Sequence, residues 1–197
     1  MRILLVGPPG SGKGTQAVRI AEHFGIEHIS SGDLLRGHIA RATPTGQAAD
    51  AYVRRGDLVP DGLVMDVLRK PVEAASRAGG YVLDGFPRTL AQAEAAYQVA
   101  KDLGASVQVA VSLEVPREEL VRRLLERAGA AGRSDDREDV IRHRLEVFDK
   151  VTPPMLAYYD RREVLLTIDG SRPVAEVTKV AIEELERVAP LLKGQSA

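Results

Sequence analysis

A glycine-rich segment that contains one lysine follows the first apolar run of the chain. Its sequence is Gly7-Pro8-Pro9-Gly10-Ser11-Gly12-Lys13-Gly14-Thr15. Glycines let backbone N–H groups converge on phosphate oxygens without interference from Cβ atoms, and a helix that begins there adds the positive end of its dipole. Lys13 would supply a mobile positive charge, and the hydroxyl of Thr15 could join a Mg²⁺ shell. The segment therefore predicts binding of a nucleoside triphosphate, although GTPases, ATPases and small-molecule kinases all share it.

Arginine side chains form the second set of residues suited to phosphate chemistry. A guanidinium group binds phosphate oxygens through two parallel hydrogen bonds and stays charged at any working pH. Arg123 and Arg127 are four residues apart, so one face of a helix presents both. An isolated arginine more often belongs to a solvated helix face, so the function of this set depends on its context. The set is Arg36, Arg88, Arg123, Arg127, Arg133 and Arg144.

The elements that must position these residues alternate between strand and helix. Apolar runs predict strands over Arg2–Val6, Glu27–Ile29, Tyr81–Asp84, Val107–Leu113 and Val164–Ile168. Helical patterns predict helices over Lys13–Phe24, Thr89–Leu103, Pro116–Arg127, Glu138–Tyr159 and Val174–Val188. Strands rich in Val, Ile and Leu that alternate with helices indicate a parallel sheet covered on both faces. The predicted fold class is α/β.

Two stretches interrupt this alternation. Residues 31–77, between the second and third strands, are predicted to form short helices separated by turns at residues 43–46 and 56–62, where Gly and Pro cluster. This stretch is therefore predicted to be an inserted helical unit. Lys70-Pro71 within it should kink or end a helix. The second interruption, residues 128–136, is rich in small residues and separates two long helices.

Composition excludes several classes of protein. The 197 residues include 27 Lys and Arg against 28 Asp and Glu, and the net charge of -1 argues against a protein that binds nucleic acid or a membrane surface. The absence of cysteine excludes a Cys-ligated zinc site and a cysteine nucleophile. No segment has the run of apolar residues that a membrane span needs. We therefore expect a protein that is not exported and acts in the cytoplasm.

Two further segments and the later arginines give a specific family resemblance. The segments are Ser30-Ser31-Gly32-Asp33-Leu34-Leu35-Arg36 and Asp84-Gly85-Phe86-Pro87-Arg88-Thr89-Leu90-Ala91-Gln92. Together with the phosphate segment, they resemble adenylate kinases in order and spacing, from Met1 to the final helix. The resemblance implies a P-loop NTPase-like fold with a five-stranded parallel sheet and a single kinase domain over residues 1–197. It also implies a helical NMP-binding insertion over residues 30–59 and a short lid over residues 127–137.

The resemblance implies direct, reversible transfer of the terminal phosphoryl group of ATP·Mg to AMP, giving two ADP, by a monomer. Mg²⁺ would be held near Thr15 and, mainly through water, by Asp84, with Asp33 in the same polar network. No zinc is expected. The residues implied to bind ATP are Gly10, Ser11, Gly12, Lys13, Gly14, Thr15, Arg123, Arg127 and Arg172. Those implied to act in catalysis are Lys13, Asp84, Arg88, Arg123, Arg133 and Arg144.

The resemblance also assigns an AMP site in which Gln92 reads adenine by hydrogen bonds. Ser31 stands where many adenylate kinases have Thr, so it keeps the hydroxyl without the methyl group. The Phe86-Pro87 peptide bond resembles one that is cis in the family. The residues implied to bind AMP are Ser31, Arg36, Asp57, Leu58, Val59, Gly85, Arg88, Gln92, Arg133 and Arg144.

Some alternatives remain open at the level of sequence. The protein could be a nucleoside monophosphate kinase that prefers UMP, CMP or dCMP, or a regulatory module that binds nucleotide without transferring phosphate. Asp84 could cap the following turn rather than hold Mg²⁺. The four histidines, at positions 23, 28, 38 and 143, match no catalytic position and are predicted to be surface or packing residues.

Overall fold

The computed structural model describes residues 1–102, 105–131 and 137–192. The strands are β1 (Arg2–Val6), β2 (Glu27–Ser30), β3 (Tyr81–Asp84), β4 (Val109–Glu114) and β5 (Leu165–Asp169). The helices are α1 (Lys13–Phe24), α2 (Ser31–Ala40), α3 (Pro44–Arg55), α4 (Asp61–Arg77), α5 (Leu90–Asp102), α6 (Arg117–Ala131), α7 (Glu138–Val151), α8 (Pro153–Asp160) and α9 (Val174–Leu192).

The five strands form one parallel sheet in the order β2-β3-β1-β4-β5. The strand β1 lies at its centre, and its side chains alternate between two buried layers. Ile3 and Leu5 pack with Ile20 of α1 and Leu185 of α9, and all four are almost completely buried. The α/β fold class is confirmed.

The opposite face of β1 packs on the other layer of helices. Leu4 and Val6 contact the cluster that contains Ala93 of α5 and Met155 of α8. A strand buried on both faces explains why residues 3–6 form a continuous apolar run rather than an alternating one. Helices on both faces leave the carboxyl edge of the sheet accessible, which is where ligands bind in folds of this type.

The predicted helix over Glu138–Tyr159 is wrong, because the structure divides it into α7 and α8. Thr152 lies between them and is followed by Pro153 and Pro154, whose missing N–H groups cannot continue the hydrogen-bond ladder of α7. Pro at the first position of a new helix is favoured, since that N–H has no helical acceptor.

The inserted stretch also differs in detail from the prediction. Pro44 to Gly46 belong to the first turn of α3 rather than to a turn between helices, because the hydroxyl of Thr43 caps that helix by accepting a hydrogen bond from Gly46 N at 3.1 Å. The helix α4 does not end at Pro71 but continues to Arg77. In the part of the chain described, none of the helices is long and apolar enough to cross a bilayer.

Candidate active site

The phosphate-binding segment forms a turn between β1 and α1 that requires glycine at two points. Gly10 and Gly12 have φ angles of 84° and 89°, in a region that residues with a Cβ rarely adopt. A Cβ on Gly10 would also lie 2.9 Å from the backbone oxygen of Leu120 and from Cγ of Leu124. Two predicted ATP-binding residues therefore have a geometric reason to be glycine, and the turn packs directly against α6.

The turn leads into α1, whose N-cap is Gly12. Because Gly12 has no side chain, no cap bond is made there, and the N–H groups of the first turn can bind an external anion. Gly14 and Thr15 lie exposed on this first turn, whereas Ser11 is buried. The hydroxyl of Ser11 has no hydrogen-bond partner in the ranges described.

Lys13 lies at the start of α1, and its side chain folds back over the turn. Its Nζ donates a hydrogen bond to the backbone oxygen of Pro8 at 3.0 Å. The pKa of Lys13 is lowered to about 8, chiefly because the protein removes the ammonium from water. Asp84 acts in the opposite direction, and three positive neighbours lower the pKa further. These neighbours are Arg88, Arg144 and Arg127.

Asp84 is the last residue of β3 and lies near the phosphate turn. Its Oδ1 is buried and has no hydrogen-bond partner in the described part of the chain, a costly arrangement for a carboxylate. Its Oδ2 lies 3.7 Å from the position that a Cβ on Gly14 would occupy. The carboxylate is therefore close to the start of α1 and has an unused oxygen that could bind a cation through water.

A cleft of about 610 Å³, called here the outer cleft, lies between the inserted helices and the end of β3. Nine of the residues predicted to bind AMP line it, and their side chains or backbone groups come from α2, the loop after α3, the loop after β3, α5 and α7. They are Ser31, Arg36, Asp57, Leu58, Val59, Gly85, Arg88, Gln92 and Arg144. Arg133, the tenth, lies outside the described residues.

A second cleft of about 580 Å³, called here the central cleft, adjoins the outer cleft beside Lys13. Arg88 and Arg144 line both, so positive charge stands where the two clefts meet. The central cleft also contains Phe148 and Thr152, which sequence reasoning missed. The hydroxyl of Thr152 donates a hydrogen bond to the backbone oxygen of Arg88 at 3.2 Å, so the break between α7 and α8 helps to hold the arginine segment.

The turn after β3 orients Arg88. Gly85 has a φ angle of 82°, and a Cβ there would lie 2.6 Å from the hydroxyl of Ser31. The backbone oxygen of Gly85 accepts a hydrogen bond from Nε of Arg88 at 2.8 Å. The following Phe86-Pro87 peptide bond is cis, as the resemblance implies.

Arg36 and Asp33 form an ion pair on α2. Nη2 of Arg36 lies 2.6 Å from Oδ1 of Asp33, and the backbone N–H of Asp33 donates to the hydroxyl of Ser30 at the helix cap. Asp33, expected near Mg²⁺, is thus a partner of the arginine at the outer cleft.

Arg123 lies at the far side of the phosphate turn, near the end of β5. Its Nε donates to Glu119 at 2.7 Å, and its Nη1 donates to the backbone oxygen of Gly170 at 3.0 Å. Arg122 and then Arg123 lower the pKa of Glu119 to about 2. Arg172, also predicted to bind ATP, donates to Asp169 at the end of β5. Both arginines are therefore held by residues 169–171 at the end of β5, and neither is among the charges that shift the pKa of Lys13.

The loop after α3 contacts α7 through residues that the sequence did not single out as a pair. His143, predicted to be a surface or packing residue, has its Nε2 2.8 Å from Oδ1 of Asp57. The hydrogen bonds from Arg55 and then His143 hold the pKa of Asp57 below its usual value. Gly56 lies close to Arg144, since a Cβ on Gly56 would approach the Cγ of Arg144 to 2.7 Å.

Gln92, on the first turn of α5, is buried at the wall of the outer cleft. Its Oε1 accepts a hydrogen bond from the backbone N–H of Arg88 at 2.7 Å, and its Nε2 donates to Asp61 at 2.7 Å. Thr89 caps the turn by accepting from Gln92 N at 3.1 Å. Sequence reasoning missed Asp61, for which the only signal was an acidic residue at the start of a helix after Pro60.

Comparison with known proteins gives one consistent result. The family model for adenylate kinase matches residues 5–164. The adenylate kinase of Thermus thermophilus is 49% identical over 168 residues, which cover 85% of this chain and 88% of the relative. That of Thermobifida fusca is 45% identical over 186 residues, which cover 94% of this chain and 98% of the relative. That of Trichodesmium erythraeum is 39% identical over 193 residues, which cover 95% of this chain and 99% of the relative.

Proposed function

The chain belongs to the adenylate kinase family, and we propose that its two adjoining clefts catalyse the reversible transfer of the terminal phosphoryl group of ATP·Mg to AMP, giving two ADP. It is a nucleoside monophosphate kinase. The single observation that supports the proposed chemistry most strongly is the group of charges around Lys13, because the central and outer clefts meet there.

The phosphate turn binds the ATP phosphates, and the outer cleft binds AMP. Backbone N–H groups of the turn and the ammonium of Lys13 hold the donor phosphates. Arg123, Arg127 and Arg172 serve ATP on the α6 side, and Arg133 completes this set as the resemblance implies. Arg36 and Arg88 hold the phosphate of AMP, which brings it toward the point where Arg144 lines both clefts.

Transfer proceeds in line and without a covalent enzyme intermediate. A phosphate oxygen of AMP attacks the γ-phosphorus of ATP, and the bond to the bridging oxygen of the leaving ADP breaks. Because the phosphate nucleophile needs no general base, catalysis consists of alignment and neutralisation of charge. Lys13, Arg88 and Arg144 supply that charge from three different elements.

The residues present fit a Mg²⁺ ion that arrives with ATP. Mg²⁺ usually keeps several waters and takes few protein ligands, and the unpartnered Oδ1 of Asp84 is a suitable acceptor for such waters. Thr15 follows Gly14 in the first turn of α1, and its hydroxyl is a second candidate for the Mg²⁺ shell. When bound, Mg²⁺ supplies charge neutralisation between the phosphates.

Water must be kept from the γ-phosphate, since hydrolysis would otherwise compete with transfer. We assign closure over AMP to residues 30–59, which include α2 and α3. Of the short lid proposed over residues 127–137, residues 127–131 belong to the end of α6 and residues 132–136 lie outside the described residues. The enzyme is proposed to act as a cytoplasmic monomer in adenine nucleotide homeostasis, with ATP, AMP and ADP as its ligands and neither nucleic acid nor membrane as a partner.

An assay of ADP formation tests this function. The protein is incubated with ATP, Mg²⁺ and AMP, and initial rates are compared with those for UMP, CMP and GMP at the same ATP concentration. We expect AMP to give the highest kcat/KM and omission of Mg²⁺ to abolish transfer. A preference for UMP or CMP would identify another acceptor specificity, and an absence of ADP would identify a regulatory module.

A further inference from the structure

The side chain of Gln92 is held by two partners of opposite polarity. The backbone N–H of Arg88 donates to its Oε1, and its Nε2 donates to Oδ1 of Asp61, each at 2.7 Å. Asp61 begins α4, so this contact joins α4 to α5 through two residues that are 31 positions apart in the sequence. Only 4% of Gln92 is exposed, so few other partners are within reach of the amide.

The two partners leave one orientation for the amide. A backbone N–H can only donate and an ionised carboxylate can only accept. If the amide turned over, its NH₂ group would face the N–H of Arg88 and its oxygen would face the carboxylate of Asp61. Both contacts would be repulsive, and the buried amide of Gln92 would lose both of its hydrogen-bond partners. The orientation therefore follows from the chemistry of the neighbours.

We propose that Asp61 is a positioning residue that fixes the polarity of the Gln92 amide and thereby makes the outer cleft select adenine over 6-oxopurines. This inference rests on the proposed function, in which the outer cleft binds the acceptor nucleotide. In the fixed orientation, Gln92 has one remaining acceptor position on Oε1 and one remaining N–H on Nε2.

Adenine matches that order of donor and acceptor. It carries an amino donor at N6 beside a ring nitrogen that accepts, so Oε1 accepts from N6 and Nε2 donates to the ring. A 6-oxopurine has an acceptor oxygen in place of the amino group. That oxygen would face Oε1 of Gln92, and neither atom could donate a hydrogen bond to the other. To bind it, Gln92 would have to turn over against both of its partners. A site built in this way penalises the wrong base because polar groups are left unpaired.

The discriminating element is the charge of Asp61 rather than its size. An asparagine at this position has the same shape but can present either its oxygen or its NH₂ group to Gln92. The variant Asp61→Asn would therefore remove one of the two constraints and leave the N–H of Arg88 as the other. Hydrogen bonds to charged groups contribute more than neutral ones.

The test compares AMP with inosine monophosphate, whose base is close in size to adenine but carries an oxygen at position 6. In D61N we expect the ratio of kcat/KM for AMP to that for inosine monophosphate to fall about tenfold. The KM for ATP should be unchanged, because the donor nucleotide binds elsewhere. Asp61→Glu keeps a group that can only accept and should retain most of the selectivity.

Asp66→Asn is the matched control, since Asp66 is exposed on the same helix and makes no hydrogen bond or ion pair in the described ranges. It removes the same charge and should leave the ratio unchanged. Thermal unfolding of both variants checks that α4 is intact. If D61N keeps the wild-type ratio, or lowers it no more than D66N does, the inference is wrong. If the wild-type protein did not phosphorylate AMP at all, that result would instead contradict the proposed function.

Discussion

Lys13 occupies a position that is unfavourable for a folded protein and favourable for binding phosphate. Its ammonium is withdrawn from water and has arginines for neighbours, which together hold its pKa at about 8 rather than 10.5. The same arrangement lets the ammonium act on an anion with little screening by water. Stability and activity should therefore respond in opposite directions when this charge is removed.

The variant Lys13→Met tests this opposition. We expect kcat to fall about 10²- to 10³-fold. Below pH 8 the wild-type residue is charged in both folded and unfolded states, and the full cost of burying it is present. Between pH 8 and 10.5 the folded state releases the proton first, so the wild type gains stability as the pH rises. At pH 7 the variant should be more stable by about 1–2 kcal/mol.

Chemical denaturation at pH 7, 9 and 10.5 measures that difference. The advantage of the variant should shrink toward the highest pH, where the folded wild type carries a neutral Lys13. An advantage that stays constant with pH would show that the ammonium is not the cause.

Arg88 is assigned to the phosphate of AMP, so its removal should weaken use of the acceptor much more than binding of the donor. In Arg88→Ala we expect kcat/KM for AMP to fall about a hundredfold and the KM for ATP to change little. Arg54→Ala is the control, because Arg54 is an exposed arginine of α3 that pairs with Asp50. Steady-state kinetics with each substrate varied in turn makes the comparison. Unchanged AMP kinetics in the Arg88 variant would contradict its assignment.

At the scale of single residues, the sequence identified candidates but not their partners. Gln92 could be found from its motif, because it lies four residues after Arg88. Asp61 and His143 could not, since each acts through a residue that is distant in the sequence: His143 meets Asp57 across 86 residues. Such contacts depend on how α4, α5 and α7 pack, which no local pattern encodes.

At the scale of elements, the contact between the phosphate turn and α6 is tight enough to test by adding one methyl group. The φ angle of Gly10 and its closeness to Leu120 and Leu124 leave no room for a Cβ. In Gly10→Ala we expect the free energy of unfolding to fall by about 1–3 kcal/mol and ATP binding to weaken.

Gly62→Ala provides the control for this variant. Gly62 lies in the first turn of α4, and a Cβ there would meet nothing within 4 Å. Its replacement should leave ATP binding unchanged and raise stability by less than about 1 kcal/mol. Urea denaturation and ATP titration measure both quantities. Equal effects at the two positions would show that the methyl group on Gly10 finds space.

The success of prediction also varied among elements for physical reasons. The bounds of α1 were predicted correctly because a glycine ends each side of its apolar pattern, at Gly12 and Gly25. The strands β4 and β5 were predicted one or two residues early, since an apolar run gives no signal for where pairing with neighbours begins. Pro153 and Pro154 are the sequence signal for the division into α7 and α8, whereas the helical periodicity continues across them.

At the scale of the whole molecule, the two clefts should act as one site for a ligand that spans both. A bisubstrate compound of two adenosines joined by five phosphates should raise the melting temperature more than ATP or AMP at the same concentration, because one ligand gains both sets of contacts. In the Lys13 and Arg88 variants this advantage should shrink. A compound no better than ATP alone would show that the clefts are not continuous.

The overall architecture followed from sequence more directly than the site did. Alternating strands and helices suffice to predict a parallel sheet, since connections between parallel strands are constrained. The grouping of Lys13 with Asp84, Arg88 and Arg144 depends on the strand order, which places the ends of β1 and β3 side by side. The order of the strands along the chain does not predict that β1 and β3 are neighbours. The strand β2 lies between them in the sequence, but in the sheet it lies on the far side of β3.

The outer cleft is drawn almost entirely from residues 31–92, with Arg144 as its contribution from the rest of the chain. The phosphate turn and the arginines of α6 and the β5 loop come from the segments before and after it. The choice of acceptor base should therefore depend almost entirely on this one continuous stretch of the chain. A chimaera that receives this one stretch from a relative with another base preference should inherit that preference while its handling of ATP is retained.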